Sequence, residues 1–368
     1  MLRILVLNWK DFNNPNAGGA EEYIRQIFTR LAKNRMEITL FTSCFIGAKR
    51  NDNINNIKII RRGNKFTVYL WGFIFYIINR YKYDVVIESI NTVPFLTPFY
   101  VKKPLYTIIH HIGGKETYDL EVGKTFSSIL TVIQKLVPLL YTNTNIITVS
   151  ESTKKELMNI NKKIQSIDII KNGVVIPPEK IIIDKFEKPT IIYFGRVKKL
   201  KRVELIINAF NQVKTIIPEA NLIIAGRGDD SYYDFLKNYV KLKSIKNVNF
   251  LGALNQEDKL LYLCKSWVYV IASIKEGWGI SVLEANSVGL PVVAYNVPGL
   301  VDSIKDSKSG FLIENGDEKS YARAIIKLLM DTKLRCQMSQ DAIFWANNFS
   351  WDRSAVEFES LLKLAVRP

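Results

Sequence analysis

Short apolar runs recur along the chain, each followed by a polar turn and then by a stretch with apolar residues at helical spacing. In the first half these runs fall at residues 3–8, 37–42, 84–88, 105–110 and 145–149. Buried strands that alternate with amphipathic helices predict βαβ units and a parallel sheet. The alternation stops where Asn172-Gly173 and the Pro-Pro pair at residues 177 and 178 break regular structure, and it restarts at residues 190–195, 221–226, 247–251, 267–272 and 291–295. Two doubly wound α/β domains are therefore expected, residues 1–178 and 179–350, with a cleft between them. A final helical pattern over residues 351–366 is expected to pack back on the first domain.

One stretch departs from this alternation. Residues 66–78, Phe-Thr-Val-Tyr-Leu-Trp-Gly-Phe-Ile-Phe-Tyr-Ile-Ile, are apolar almost throughout, yet fall short of the ~20 residues that span a bilayer. They read either as a core helix on the sheet or as an aromatic helix resting on a membrane. Charge keeps the second reading open. The chain of 368 residues carries a formal +16, and residues 1–185 hold 26 Lys and Arg against 15 Asp and Glu. Lys49, Arg50, Lys58, Arg61, Arg62 and Lys65 cluster just ahead of the apolar stretch. Such an excess calls for an anionic partner: nucleic acid, a membrane surface or a phosphorylated substrate. The three cysteines, Cys44, Cys264 and Cys336, lie far apart without metal-ligand or disulfide spacing. With no secretory pattern at the start, the expectation is a cytoplasmic chain.

Candidate chemistry gathers at the carboxyl ends of the predicted strands, the edge at which open α/β sheets bind ligands. The fullest case is Glu276-Gly-Trp-Gly-Ile-Ser-Val-Leu-Glu284. Gly277 and Gly279 let backbone approach an anion, and the first amides of the following helix, at Ile280, Ser281 and Val282, are donors for a diphosphate. Glu276 and Glu284 are then free to grip hydroxyls. After the first strand of the second domain, Gly195-Arg196 with Lys201 places cations where a leaving diphosphate gains charge. Lys198, Lys199 and Arg202 read as solvated neighbours. Gly18 and Gly19 open the first predicted helix as a possible phosphate turn. His110 and His111, the only two histidines, close a strand, and strand alternation allows at most one of them into a site. The stretch Ala225-Gly226-Arg227-Gly228-Asp229-Asp230 is either part of a nucleotide pocket or a tight turn with a capping aspartate.

Taken together, these motifs resemble the retaining glycosyltransferases of family 4. The resemblance covers nearly the whole chain and rests on Glu276 and Glu284, Gly195-Arg196 with Lys201, the Gly-Gly-Ala-Glu loop, His110, Val149-Ser-Glu-Ser-Thr and Asn172-Gly173. It implies the GT-B fold, with two Rossmann-like domains facing a deep cleft, acceptor in the first and nucleotide sugar in the second. Arg196 and Lys201 would hold the donor diphosphate, Glu284 the ribose and Glu276 the donor sugar, with Gly195, Gly277, Trp278 and the amides from Gly279 to Val282 around them. His110 would sit beside the donor sugar, and Gly18 and Gly19 would close over the phosphates. Two positions depart from the family pattern: His111 stands where many relatives have an acidic residue, and Arg202 where they have glycine.

The expected function is transfer of a hexose from a UDP- or GDP-sugar to a hydroxyl of a glycan or polyprenyl-linked glycan, with retention of configuration. No cofactor or metal is expected, since the chain has no Asp-x-Asp triplet, and no nucleic-acid partner, since it has no recognisable motif for one. An anionic membrane surface is a further expected partner, through the first domain. The competing readings are a non-catalytic cationic binder of nucleic acid or membrane, and a sugar-nucleotide epimerase or hydrolase on the same fold.

Overall fold

A computed structural model describes residues 1–177 and 183–365. The chain forms two compact units, one built from residues 1–173 with the segment from Trp351 onward, the other from residues 174–350. The division falls between Gly173 and Val174, ahead of the 178/179 boundary expected from the sequence, and part of the expected linker lies outside the described residues.

The first unit runs β1 (Arg3–Leu7), α1 (Gly19–Lys33), β2 (Glu37–Thr42), β3 (Asn51–Ile54), β4 (Ile57–Arg61), α2 (Val68–Asn79), β5 (Val85–Ile90), β6 (Leu105–Ile109), α3 (Lys115–Val122), α4 (Lys124–Leu140), β7 (Asn145–Thr148), α5 (Glu151–Ile160) and β8 (Ile167–Ile169). Its sheet has the order β3-β4-β2-β1-β5-β6-β7-β8, parallel except for the β3–β4 hairpin. That hairpin falls in the stretch read from the sequence as a basic cluster. Arg61, expected at the surface, is buried on β4, where it pairs with Asp11 at 2.7 Å and Asp52 at 3.3 Å. Two carboxylates turn this one cation inward, because a guanidinium is buried only when it is paired.

Side chains alternate across a strand, so Val86, Glu88 and Ile90 of β5 share one face of the sheet. Val86 packs in a cluster with Val68 and Tyr76 of α2, whereas Ile90 packs with Val137 of α4 and with Tyr141. Helices α2 and α4 therefore cover the same face, side by side. The apolar stretch from Phe66 buries only Val68, Gly72 and Tyr76 within α2, while Phe66, Leu70, Trp71, Phe73 and Ile78 stay exposed.

The second unit runs β9 (Thr190–Phe194), α6 (Val203–Ile216), β10 (Asn221–Ala225), α7 (Asp230–Leu242), β11 (Val248–Gly252), α8 (Gln256–Lys265), β12 (Val268–Ile271), α9 (Ile280–Ser287), β13 (Val292–Tyr295), α10 (Leu300–Ser303), β14 (Gly310–Ile313), α11 (Glu318–Met330) and α12 (Thr332–Ala346). Its all-parallel sheet has the order β11-β10-β9-β12-β13-β14. Strand order reverses between β9 and β12, and a crevice opens beyond the carboxyl ends of strands at such a reversal. The core is continuous, running from Ile191 and Ile192 through Val268–Ile271 to Val292–Tyr295, with Tyr193, Phe210, Tyr269, Tyr295 and Tyr321 buried among the aliphatic side chains.

Helix α13 (Trp351–Ala365) belongs to the first unit. Phe358 meets Phe28 of α1 edge-on at 5.4 Å, Trp351 meets Tyr23 at 6.0 Å, and Arg30 binds Asp352 at 2.5 Å. Tyr106 points to the face opposite Leu105 and Thr107, and its hydroxyl donates to the Leu361 carbonyl at 2.7 Å. This fixes α13 on the face away from α2 and α4.

Candidate active site

The crevice position of the second unit is occupied by the motifs singled out from the sequence. The loop after β9 carries Gly195, Arg196 and Lys201, and the loop after β12 carries Glu276. The Lys201 ammonium donates to Glu276 Oε1, and the Ser273 hydroxyl donates to the same oxygen at 2.7 Å. Both members of the ion pair are largely shielded, with side chains 11% and 15% exposed. Burial alone pushes the Glu276 carboxyl up, but the charge and hydrogen bond of Lys201, the Ser273 hydroxyl and the Arg196 charge together hold it below the usual carboxylate range. Arg196 itself is exposed.

Glycine geometry sets the height of this loop. Gly279 enters α9 in the left-handed region, at φ +98, which a side chain resists. A Cβ on Gly299 would lie 2.3 Å from the Glu276 carbonyl oxygen, so only glycine lets the two backbones approach this closely. The Glu276 amide in turn donates to the Pro298 carbonyl at 3.1 Å. Of the three helix amides expected to be free, that of Val282 donates to the Gly279 carbonyl at 3.0 Å, which leaves Ile280 and Ser281. The short first turn closes on itself there. Trp278 is buried and meets Phe349 edge-on at 5.3 Å, so its ring is core and only its backbone lines the loop. Glu284, on α9, binds Lys259 of α8 at 2.7 Å, and Lys259 also lies over the Phe194 ring at 5.5 Å.

Arg202 is not a solvated neighbour. Its backbone adopts φ 49 and ψ 47, the left-handed region that costs a non-glycine residue about 1 kcal/mol. Its guanidinium donates to the carbonyls of Ala272 at 2.6 Å and Ser273 at 3.1 Å, and to Asn315 Oδ1 at 2.7 Å. The residue that replaces glycine thus clamps the end of β12 on which Ser273 and Glu276 depend. The glycines from Gly226 have a structural part: Gly195 donates to the Ala225 carbonyl at 3.0 Å and Val197 to the Arg227 carbonyl at 2.7 Å, tying the β9 and β10 loops together.

In the first unit, His110 closes β6 and is buried, with its Nε2 3.4 Å from Ser89 Oγ and its ring edge-on to Tyr23 at 5.3 Å. Burial, helped by the neighbouring His111, pushes His110 down to about 3, so the imidazole is neutral throughout the physiological range. It can donate or accept a hydrogen bond but does not titrate there as a base. The Val149-Ser-Glu-Ser-Thr motif supports it: Ser150 caps α5, and the Thr153 hydroxyl donates to the His110 carbonyl at 3.2 Å. At the start of α1 the Gly18 amide donates to Glu21 at 2.7 Å. Glu21 also accepts from Asn91 at 3.2 Å and faces Lys10 at 3.6 Å, while Asn91 donates to Asn8 at 3.1 Å. Gly18 and Gly19 are thereby locked to the ends of β1 and β5, the strands between which this sheet reverses. Asn172 is buried, with its Oδ1 lacking a hydrogen-bond partner among the described residues.

Lys259, Lys10, Asn91 and the clamping role of Arg202 were not reached from the sequence. Lys10 and Asn91 lie just past the ends of β1 and β5, a placement that the parallel-strand pattern gave grounds to check.

Sequence models of two families lie end to end on the chain: Glycosyltransferase Family 4 on residues 17–176 and Glycosyl transferases group 1 on residues 178–345. The chain belongs to the family 4, group 1 glycosyltransferases. A D-inositol 3-phosphate glycosyltransferase of Salinispora arenicola is 31% identical over 172 residues, which is 45% of this chain and 38% of that relative. The match therefore spans well under half the length of that curated relative. A sucrose-phosphate synthase from Thermosynechococcus elongatus has the same fold, with a TM-score of 0.82 at 18% identity over 99% of both chains. Anabaena HepE, solved in complex with UDP-glucose, matches with a TM-score of 0.75 at 17% identity over 99% of this chain and 100% of its own. These likenesses make the two units the Rossmann-like pair of a GT-B glycosyltransferase.

Proposed function

We propose that this glycosyltransferase moves a hexose from a UDP- or GDP-sugar to a hydroxyl of a glycan or lipid-linked glycan, with retention and without a divalent metal. The observation that carries the reading is the shielded Lys201–Glu276 pair at the strand reversal of the second unit, with Arg196 beside it. A diphosphate arriving there competes with Glu276 for the Lys201 ammonium. Once the ammonium turns to phosphate, the Glu276 carboxylate is released to accept hydrogen bonds from the sugar hydroxyls. Arg196, Lys201 and the amides of Ile280 and Ser281 supply the positive charge that a leaving diphosphate requires, which is why no metal is invoked. The Glu284–Lys259 pair suits a ribose, with the carboxylate accepting from its hydroxyls.

In the reaction, the bond from the anomeric carbon to the phosphate oxygen breaks and a bond to the acceptor oxygen forms. The acceptor proton passes to the departing phosphate oxygen. A double displacement needs a carboxylate nucleophile, and on this reading the released Glu276 carboxylate is taken up by the hydroxyls of the donor sugar. His110, neutral and buried, serves as a hydrogen-bonding group of the first unit, the unit this reading assigns to the acceptor, whereas the Gly18 amide is already taken by Glu21. Gly195 and Gly277 keep the backbone low on either side of the donor. The reading also sets the protein at a cytoplasmic membrane surface, where a lipid-linked acceptor is presented.

A thermal-shift screen against nucleotide sugars tests the donor class, because a ligand that binds only the folded state raises its melting temperature. A shift with one UDP- or GDP-sugar, followed by acceptor-dependent release of nucleotide and NMR assignment of the product anomer, is the expected result. No shift with any nucleotide sugar, release that needs no acceptor, or a trapped glycosyl-enzyme would overturn it.

A further inference from the structure

Helix α4 is amphipathic the wrong way round for a core helix. Its buried residues include Ser127 and Gln134, held by hydrogen bonds from Ser127 to Asp119 and from Gln134 to the Thr92 carbonyl. Phe126, Ile129, Val132, Leu136 and Leu139 are instead 43% to 64% exposed, and their spacing runs them along one side of the helix. A contiguous apolar stripe of this kind facing water marks an interaction surface. Helix α2, on the same face of the sheet, adds exposed Leu70, Trp71 and Ile78, and Phe66 just ahead of it is exposed as well.

Charge identifies what covers the stripe. Neither α2 nor α4 contains an Asp or Glu. Exposed Lys65, Arg80 and Lys82 flank α2, exposed Lys102 and Lys103 precede β6, and Lys124 and Lys135 lie exposed on α4. Of the acidic residues nearest in sequence, Asp84 pairs with Arg3, while Glu116, Asp119 and Glu121 belong to α3, where Asp119 is taken up by Ser127. A second copy of this chain, at +16, would set like charges against like across such a face. An anionic bilayer instead meets apolar side chains with acyl chains and the surrounding cations with headgroups. No helix among the described residues is long and apolar enough to cross a membrane.

We propose that the α2–α4 face of the first unit docks on an anionic lipid bilayer, with the Phe126–Leu139 stripe of α4 lying in the interface. This deepens the membrane placement in the proposed function but rests on the surface of the first unit alone, and its test does not depend on turnover.

Co-sedimentation with phosphatidylcholine vesicles containing roughly 30% phosphatidylglycerol, and with phosphatidylcholine alone, reads the binding. The wild type is expected to bind the anionic vesicles about tenfold or more tightly than the neutral ones. The triple variant Phe126→Ser, Ile129→Ser, Val132→Ser is expected to lose about tenfold on anionic vesicles, and Lys124→Glu with Lys135→Glu to lose the preference for them. Retained melting temperatures and nucleotide-sugar shifts in these variants keep the result separate from failure of folding or of the donor reading. The proposal is overturned by a wild type that sediments with neither vesicle, by a triple variant that binds as the wild type does, or by a wild-type dimer that the triple variant dissolves.

Discussion

Glu88 in the first unit is buried and Glu276 in the second is largely shielded, and burial pushes both carboxyls up. They end on opposite sides of the ordinary value. Glu88 accepts from the Thr97 and Tyr141 hydroxyls and from the amides of Phe95 and Thr97, all neutral, and its carboxyl stays raised. Glu276 has fewer donors, but one is the Lys201 ammonium, and its carboxyl is lowered. Hydrogen bonds satisfy the geometry of a buried acid, whereas a nearby cation also offsets the burial of its charge. The difference separates a pin from a site. Glu88 fastens residues 95–97 and the end of α4 to β5 through neutral donors. The cations around Glu276 can be recruited by an anion.

Removing the cation tests this contrast most severely. Lys201→Ala is expected to lower kcat/KM for the nucleotide sugar by roughly 100- to 1,000-fold and to cost about 3 kcal/mol in urea unfolding, because it strands a shielded carboxylate. Lys201→Met combined with Glu276→Gln is expected to regain much of the stability and none of the rate. Recovery of the rate as well would make the pair a pin like Glu88. A smaller effect is expected at His110. Its depressed value means that the unfolded chain binds a proton which the folded one refuses, so its contribution to stability is full above about 6.5 and is lost as pH falls toward 3. Urea midpoints across that window should show a slope of up to about 1.4 kcal/mol per pH unit that His110→Gln abolishes. Turnover in that variant should fall about tenfold, with nucleotide affinity kept.

Smaller again is Arg202→Gly. It relieves the left-handed backbone but releases the carbonyls of Ala272 and Ser273, so kcat is expected to fall about fivefold with little change in melting temperature. Arg202→Lys should lie between the two, and an unchanged kcat would mean that Ser273 and Glu276 hold their places without the clamp. Lys259→Met should raise the KM for the donor about threefold and leave kcat alone. At the bottom of the scale, EDTA is expected to leave the initial rate unchanged. A strict requirement for added Mg²⁺ or Mn²⁺ would show that Lys201 and Arg196 do not suffice for the diphosphate.

The alternation of apolar runs with helical spacing was enough to read five strands of each sheet, since strand period and helix period are local properties. The placement of Glu276, Lys201 and Arg196 at strand ends was visible for a similar reason: glycines and charges beside a strand end are contiguous in the chain. What escaped depended on partners far away. Arg61 looked like one more surface cation until Asp11, fifty residues earlier, drew it inward. Lys259 lies 25 residues before Glu284 on another helix, and Arg202 finds its acceptors 70 and 71 residues on. Linear charge carries no sign of which cation is buried. The strands β3, β4, β8 and β14 were missed: β3, β8 and β14 are edge strands of three or four residues with polar or mixed flanks, and β4 lies within the stretch read as a basic cluster.

Helix α13 bears on how the protein is made. The apolar side of α1 that holds Tyr23 and Phe28 is covered by Trp351 and Phe358. During synthesis the second unit emerges whole while α1 still lacks its cover, although the first unit began to emerge earlier. The usual order, in which the amino-terminal domain finishes first, is thus reversed. Until α13 has left the ribosome, Tyr23 and Phe28 of the nascent first unit lack the cover of Trp351 and Phe358.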